Sequence, residues 1–260
     1  MSRITDVPGV RVAHRDPGLT VLLPYPRTIA RRKLWGAFRS EGRIGEVSGL
    51  HVLRDFGTLS SPIVFCPLAW FGSVYDALIE DGFRRDHDLS IDAGWPPIVF
   101  GLPTTLGAEH ADPPTPVMVQ SALERAEARF ATGGVGAARP APVTQAGSRH
   151  GIGTSSEASP AGHIVGALAA CLGDLQIAIL ATDAPLSPLA LGRLAEQALR
   201  GMQGEEGTAV LAFTTAQGVE GAFQEQRGET RRRQVPPEER AALGRSAVSA
   251  VRQSALSALA

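Results

Sequence analysis

Cysteine is scarce in this chain. The only two, Cys66 and Cys171, lie far apart, which excludes a disulfide scaffold or a cysteine-built zinc cluster. Neither sign of charge dominates: 25 Lys and Arg stand against 26 Asp and Glu, a formal net charge of -1. No global attraction to nucleic acid follows. There is no run of 18 apolar residues, so no membrane-spanning helix is expected. The opening Met1-Ser2-Arg3-Ile4-Thr5-Asp6 has no apolar signal-peptide core. The expectation is a cytoplasmic protein with neither nucleic acid nor membrane as a partner. Disorder is excluded as well, because 43% of the residues are hydrophobic and only 20% charged. At 260 residues and 27.3 kDa, the chain is one large domain or two small ones. A fold of this size buries roughly 70% of its unfolded surface, enough to stand without a metal or a disulfide.

The 29 glycines and 19 prolines are spread along the chain. That predicts many short elements joined by tight turns. Strands are expected at Leu19–Leu23, Ser61–Phe65, Pro97–Phe100, Leu175–Leu180 and Thr208–Phe213. The run at 175–180 has almost no polar face, as when both sides of a sheet are covered. Helices are expected at Glu46–Phe56, Ser73–Gly82 and Pro114–Phe130. Two more are expected after Ser187-Pro188 and after Pro236-Pro237. The stretch 131–153 looks least structured. Pattern alone supports a layered α/β or α+β domain.

Several side chains invite a chemical reading. Cys171 with His163 would make a nucleophile and base pair, or Cys171 is a core residue, as Cys66 is. Gly151 and Gly153 lead into Thr154 and Ser155, a turn able to offer N–H groups to an anion or one of purely structural use. Asp183 is either a turn cap or an acid of the site. Glu109, His110 and Asp112 form a weak metal-type cluster, better read as a solvated loop, so no metal is expected. Arg31-Arg32-Lys33 and Arg231-Arg232-Arg233 are basic runs, read as solvated faces or as patches for an anionic partner.

An ordered set of segments resembles the DmpA-type aminopeptidases, which include β-peptidyl aminopeptidases and share the ornithine acetyltransferase fold. The set begins with Ile4-Thr5-Asp6-Val7-Pro8-Gly9-Val10-Arg11-Val12. It continues through Gly45-Glu46, Ser48-Gly49-Leu50, Ser61-Pro62-Ile63 and Gly72-Ser73-Val74. Later come Gly151-Ile152-Gly153-Thr154-Ser155-Ser156, Val165-Gly166-Ala167-Leu168 and the strongest run, Ala181-Thr182-Asp183-Ala184-Pro185-Leu186. The resemblance spans nearly the whole chain. It implies one domain over residues 1–260, a four-layer α-β-β-α sandwich, no cofactor and a homo-oligomer. It also implies self-cleavage at a Gly-Ser bond, whose freed serine attacks short peptides, amides or esters.

The chain departs from that pattern where the chemistry lies. The serine position, eight residues before Asp183, is Leu175, and the preceding glycine is Asp174. The family linker before the cleavage point is deleted near 171–175. The oxyanion asparagine falls at Gly134, which has no side-chain donor. Leu102-Pro103-Thr104-Thr105-Leu106 stands where an aromatic segment belongs, and the serine and acid that assist the nucleophile match Glu206 and Thr208. The reading is a family homologue that is not self-processed and has a binding or structural role. The alternative is a diverged amidohydrolase with another nucleophile, Cys171 first among the candidates.

Overall fold

The computed structural model describes residues 2–16, 18–25, 33–87, 89, 96–103, 112–138, 150–202, 207–219 and 235–259. Its strands and helices run in chain order as β1 (Arg11–Arg15), β2 (Leu19–Leu23), β3 (Lys33–Gly42), β4 (Glu46–Val47), α1 (Leu50–Phe56), β5 (Thr58–Leu59), β6 (Ile63–Pro67), α2 (Phe71–Arg85) and β7 (Ile98–Leu102). Then follow α3 (Pro116–Glu124), β8 (His150–Ala158), β9 (Ile164–Leu172), β10 (Leu175–Thr182), α4 (Pro188–Leu199), β11 (Gly207–Val219) and α5 (Pro237–Leu259).

The strands form two sheets. One has the order β1-β2-β6-β7-β4 and the other β5-β3-β11-β10-β9-β8. Alternation along each strand sends side chains to two faces, and the cores follow that parity. Val12, Leu22, Phe65 and Phe100 of the first sheet meet Ile152, Leu168, Ile177 and Leu211 of the second in a central core. Phe65 and Phe100 stack there at 4.9 Å between ring centroids. On the outer face of the first sheet, Val21, Val64 and Val99 pack under Val74 and Leu78 of α2 and Val119 and Leu123 of α3. On the outer face of the second, Ala178, Leu180 and Val210 pack under Leu191 and Leu194 of α4 and Leu243 and Val251 of α5. Each fully buried Leu, Ile, Val or Phe contributes about 1.5–3 kcal/mol. Three apolar layers between four layers of secondary structure make an α-β-β-α sandwich.

Three expected helices and one expected loop differ from the structure. The segment from Glu46 splits into a two-residue strand on β7 and a helix that starts only at Leu50. Gly49 lies between them at φ +72°, a left-handed conformation that interrupts a helix and that glycine adopts without steric cost. The helix after Thr115 stops at Glu124, six residues early. Glu127 instead exchanges backbone hydrogen bonds with Val12, and Phe130 enters the central core. The helix around Ser73 is longer than expected, because Phe71 and Arg85 extend it at both ends. His150–Gly153, expected to be irregular, belongs to β8.

Candidate functional site

The expected catalytic end of the sandwich lies where β9 turns into β10. Leu172 pairs directly with Leu175, leaving Gly173 and Asp174 as the whole connection. Gly173 sits at φ +61° with open space around it. Its conformation rather than its surroundings favours glycine, as two-residue hairpin turns require. Asp174 is exposed. Leu175 is 1% exposed and belongs to the central core. An aliphatic side chain therefore fills the space between the sheets at this point. No hydroxyl or thiol occurs from Leu172 to Leu175.

Among the described residues, the matched helper positions bring no hydroxyl or thiol to the central core. Gly134 is exposed beside Gly133, which exchanges two backbone hydrogen bonds of 2.7 and 2.8 Å with Ile152 on the sheet edge. Thr208 pairs with Gln176. Its parity is that of Val210 and Ala212, so it shares the helix-covered outer face, opposite to Leu175. Glu206, Glu109, His110, Thr104, Thr105, Leu106, Arg31, Arg32 and Arg231–Arg233 lie outside the described residues. Asp112 is exposed, and Lys33 begins β3. Among the described residues, no group of three His, Cys, Asp or Glu side chains could hold a metal ion.

The alternative pair does not come together. His163 precedes β9 and Cys171 is its penultimate residue, so roughly 26 Å of extended chain separates them at about 3.3 Å per residue. Cys171 also faces the outer helix layer, with Ala169 and Ala258, and its Sγ–H points at the Ala255 carbonyl at 4.0 Å. Burial pushes its thiol up to about 11 and that of Cys66 up to about 12. A thiol held protonated among apolar atoms is a poor nucleophile.

The Gly151–Ser155 segment is not a turn that presents N–H groups. It is the middle of β8, lying under α5. A Cβ on Gly151 would overlap the Ala258 carbonyl, and one on Gly153 would overlap that of Ser254, so both glycines let a helix backbone rest on a strand. Thr154 Oγ1 accepts from Ile4 N at 2.8 Å and donates to the Ala167 carbonyl at 3.0 Å. Ser155 donates to the Ala250 carbonyl, and Ser156 to Asp6. These hydroxyls tie the chain start and α5 to the sheet. Asp183 accepts from Ile164 N at 2.8 Å and stands 3.3 Å from His163 Nδ1. The other ring nitrogen of His163 is 3.2 Å from Glu239 of α5. Asp183 therefore fastens the β8–β9 turn to the end of β10.

One polar network escaped the sequence reading. His14 and Thr20 are register partners on β1 and β2. His14 Nε2 lies 3.0 Å from the Ala131 carbonyl, which can only accept, so that nitrogen carries the proton. Nδ1 of the neutral ring then accepts from Thr20 Oγ1 at 2.9 Å, and Thr20 accepts from Ala137 N at 3.0 Å. Burial lowers the His14 pKa, more than the Ala131 contact and Asp16 raise it, in keeping with a neutral ring. Asp16 accepts from Gly136 N. Arg3 donates to the Phe130 carbonyl, and Thr5 to that of Ala128 at 2.6 Å. Together these bonds clamp residues 127–138, which include Gly134. The only trace in the sequence is the spacing of two polar residues across a short hairpin.

This layering, with a strand hairpin at the expected cleavage point, is the α-β-β-α sandwich of the DmpA and ornithine acetyltransferase type. The model of Peptidase family S58 matches residues 2–172 and 174–260; the chain belongs to that family. No curated protein matches the chain. Solved structures do. The PH0078 protein from Pyrococcus horikoshii OT3 is 22% identical with a TM-score of 0.82, the match covering 99% of this chain and 86% of that one. A Burkholderia sp. beta-aminopeptidase is 25% identical with a TM-score of 0.81 and the same coverage. The L-aminopeptidase D-Ala-esterase/amidase of Ochrobactrum anthropi, described as a serine aminopeptidase with a variant Ntn hydrolase fold, is 22% identical at a TM-score of 0.76, again with that coverage. The two halves of the family match part at Gly173, the turn residue of the hairpin.

Proposed function

We propose that this chain is a family S58 homologue that does not process itself and does not hydrolyse peptides through the family's serine. Its role is to bind or to scaffold, as one domain over residues 1–260. The observation that carries this reading is Leu175, buried in the central core and paired with Leu172 across a two-residue turn. N-terminal nucleophile chemistry needs a hydroxyl or thiol and a free amine on one residue. Leucine supplies neither hydroxyl nor thiol, and a two-residue turn leaves no room for the family's linker. Gly134 compounds the loss, since removing one oxyanion donor costs about 2.7–4 kcal/mol of transition-state stabilisation. The burial and orientation of Cys171 weigh against the amidohydrolase alternative. A homo-oligomer that holds a small peptide or amide fits the family ancestry, and two buried free cysteines suit the reducing cytoplasm.

The test is the intact mass of purified protein under denaturing conditions. The expected result is one species near 27.3 kDa that releases no N-terminal residue from short peptides. Two fragments summing to that mass, or release of a residue that survives Leu175→Ala, would overturn the proposal.

A further inference from the structure

The outer layer of the second sheet holds a groove of about 260 Å³ between α4 and α5. It lies on the far side of that sheet from the central core, and Leu175 takes no part in it. Leu186, Leu189 and Leu194 give it an apolar wall, and Arg193, Gln197 and Arg240 a polar one. Leu189 is 65% exposed, a large apolar side chain left open at the groove's edge. Neither guanidinium makes an ion pair or side-chain hydrogen bond among the described residues. The acids of the two helices do not neutralise them. Glu196 is held by Arg200, Glu239 stands against His163, and Glu238 does not line the groove.

Two arginines without an ion pair among the described residues, facing a concave surface, set up a positive potential that a low-dielectric wall strengthens. The planar fork of arginine matches the two oxygens of a carboxylate. The leucine wall favours a ligand with an apolar body over a bare inorganic anion. We infer that this groove is a binding site for a small organic carboxylate with a branched apolar body, such as a free or N-acylated aliphatic amino acid. The inference goes beyond the function proposed above and stands whether or not the chain cuts peptides.

The experiment titrates the full chain, isotope-labelled for amide NMR, with N-acetyl-L-leucine. N-acetyl-L-leucinamide and inorganic phosphate are the comparison ligands. The expected result is a saturable shift of the Ala190, Gln197 and Ala241 amides with N-acetyl-L-leucine, at least tenfold weaker with the amide and with phosphate. The double variant Arg193→Gln/Arg240→Gln should weaken binding at least tenfold while its thermal unfolding stays that of the parent. Absence of binding, equal binding of the amide or of phosphate, or shifts confined to other residues would each overturn the assignment. Should the double variant fail to fold, the location of the shifts in the parent protein still decides it.

Discussion

Leu172 and Leu175 face one another across two residues, and their pairing joins β9 to β10 without slack. The carbonyl before position 175 belongs to that turn, and the matched oxyanion position is Gly134, which has no side-chain donor to stabilise an attack on it. Restoring the reactive pair should therefore not restore the reaction. In Asp174→Gly/Leu175→Ser the mass should stay whole over days at 25 °C. Removing a buried leucine typically destabilises by about 2–5 kcal/mol, and the new hydroxyl adds a polar group to an apolar core. Intact mass and urea unfolding read both effects; a cut chain would show that the turn opens.

Glycines in this chain should divide by what lies above them. Gly153→Ala forces a methyl group into the Ser254 carbonyl, backbone against backbone. Destabilisation should exceed the usual overpacking penalty of about 1–3 kcal/mol. Gly72→Ala, in the first turn of α2 with nothing within 4 Å, should stabilise by about 0.5–1 kcal/mol. Urea midpoints of the two variants, moving in opposite directions, check the packing of α5 on β8.

Acid should loosen the 127–138 clamp. Burial lowers the His14 pKa in the folded chain below its ordinary value of 6.5. Between 6.5 and that lower value the unfolded chain binds the proton and the folded chain does not, so stability falls as pH falls through this window. Above 6.5 the full contribution is present; below the folded pKa its loss is complete. His150 shifts in the same direction, so the difference between parent and His14→Gln isolates the contribution of His14. Stability against pH from 8 to 4 should be flatter in the variant. Equal slopes would remove His14 from the account.

Both thiols should be silent while the protein is folded. With Cys171 near 11 and Cys66 near 12, and both side chains buried, a disulfide reagent at pH 8 should label neither within minutes. Both should react at once in 6 M guanidinium chloride. Rapid labelling of Cys171 in the native protein would reopen its candidacy as a nucleophile.

Much of the fold was legible because it rests on local chemistry. Leu175–Leu180 is apolar on both faces but for Gln176 and is a central strand covered on both sides. Ser187-Pro188 starts α4, with Ser187 accepting from Ala190 N, and α5 follows Pro236. β1, β3, β8 and the two-residue β4 and β5 were missed. β3 begins with Lys33, ends in four exposed residues and owes its form to pairing with β11 and β5. Strand pairing depends on partners distant in sequence, and no local periodicity records it.

The sequence by itself determined that no hydroxyl or thiol stands at the expected nucleophile position, because the identity of a residue needs no coordinates. It determined the family in the same way, through short runs in a fixed order. Only the tertiary structure decided what the remaining polar residues do. It held Cys171 and His163 at opposite ends of one extended strand, turned Gly151 and Gly153 into the bed of a helix and enclosed Thr154 and Ser155 in hydrogen bonds. It also brought Arg193 and Arg240, 47 positions apart in the chain (240 less 193), to one groove. A side chain's chemistry is set by burial, facing and partner, and these exist only once separate segments are packed together.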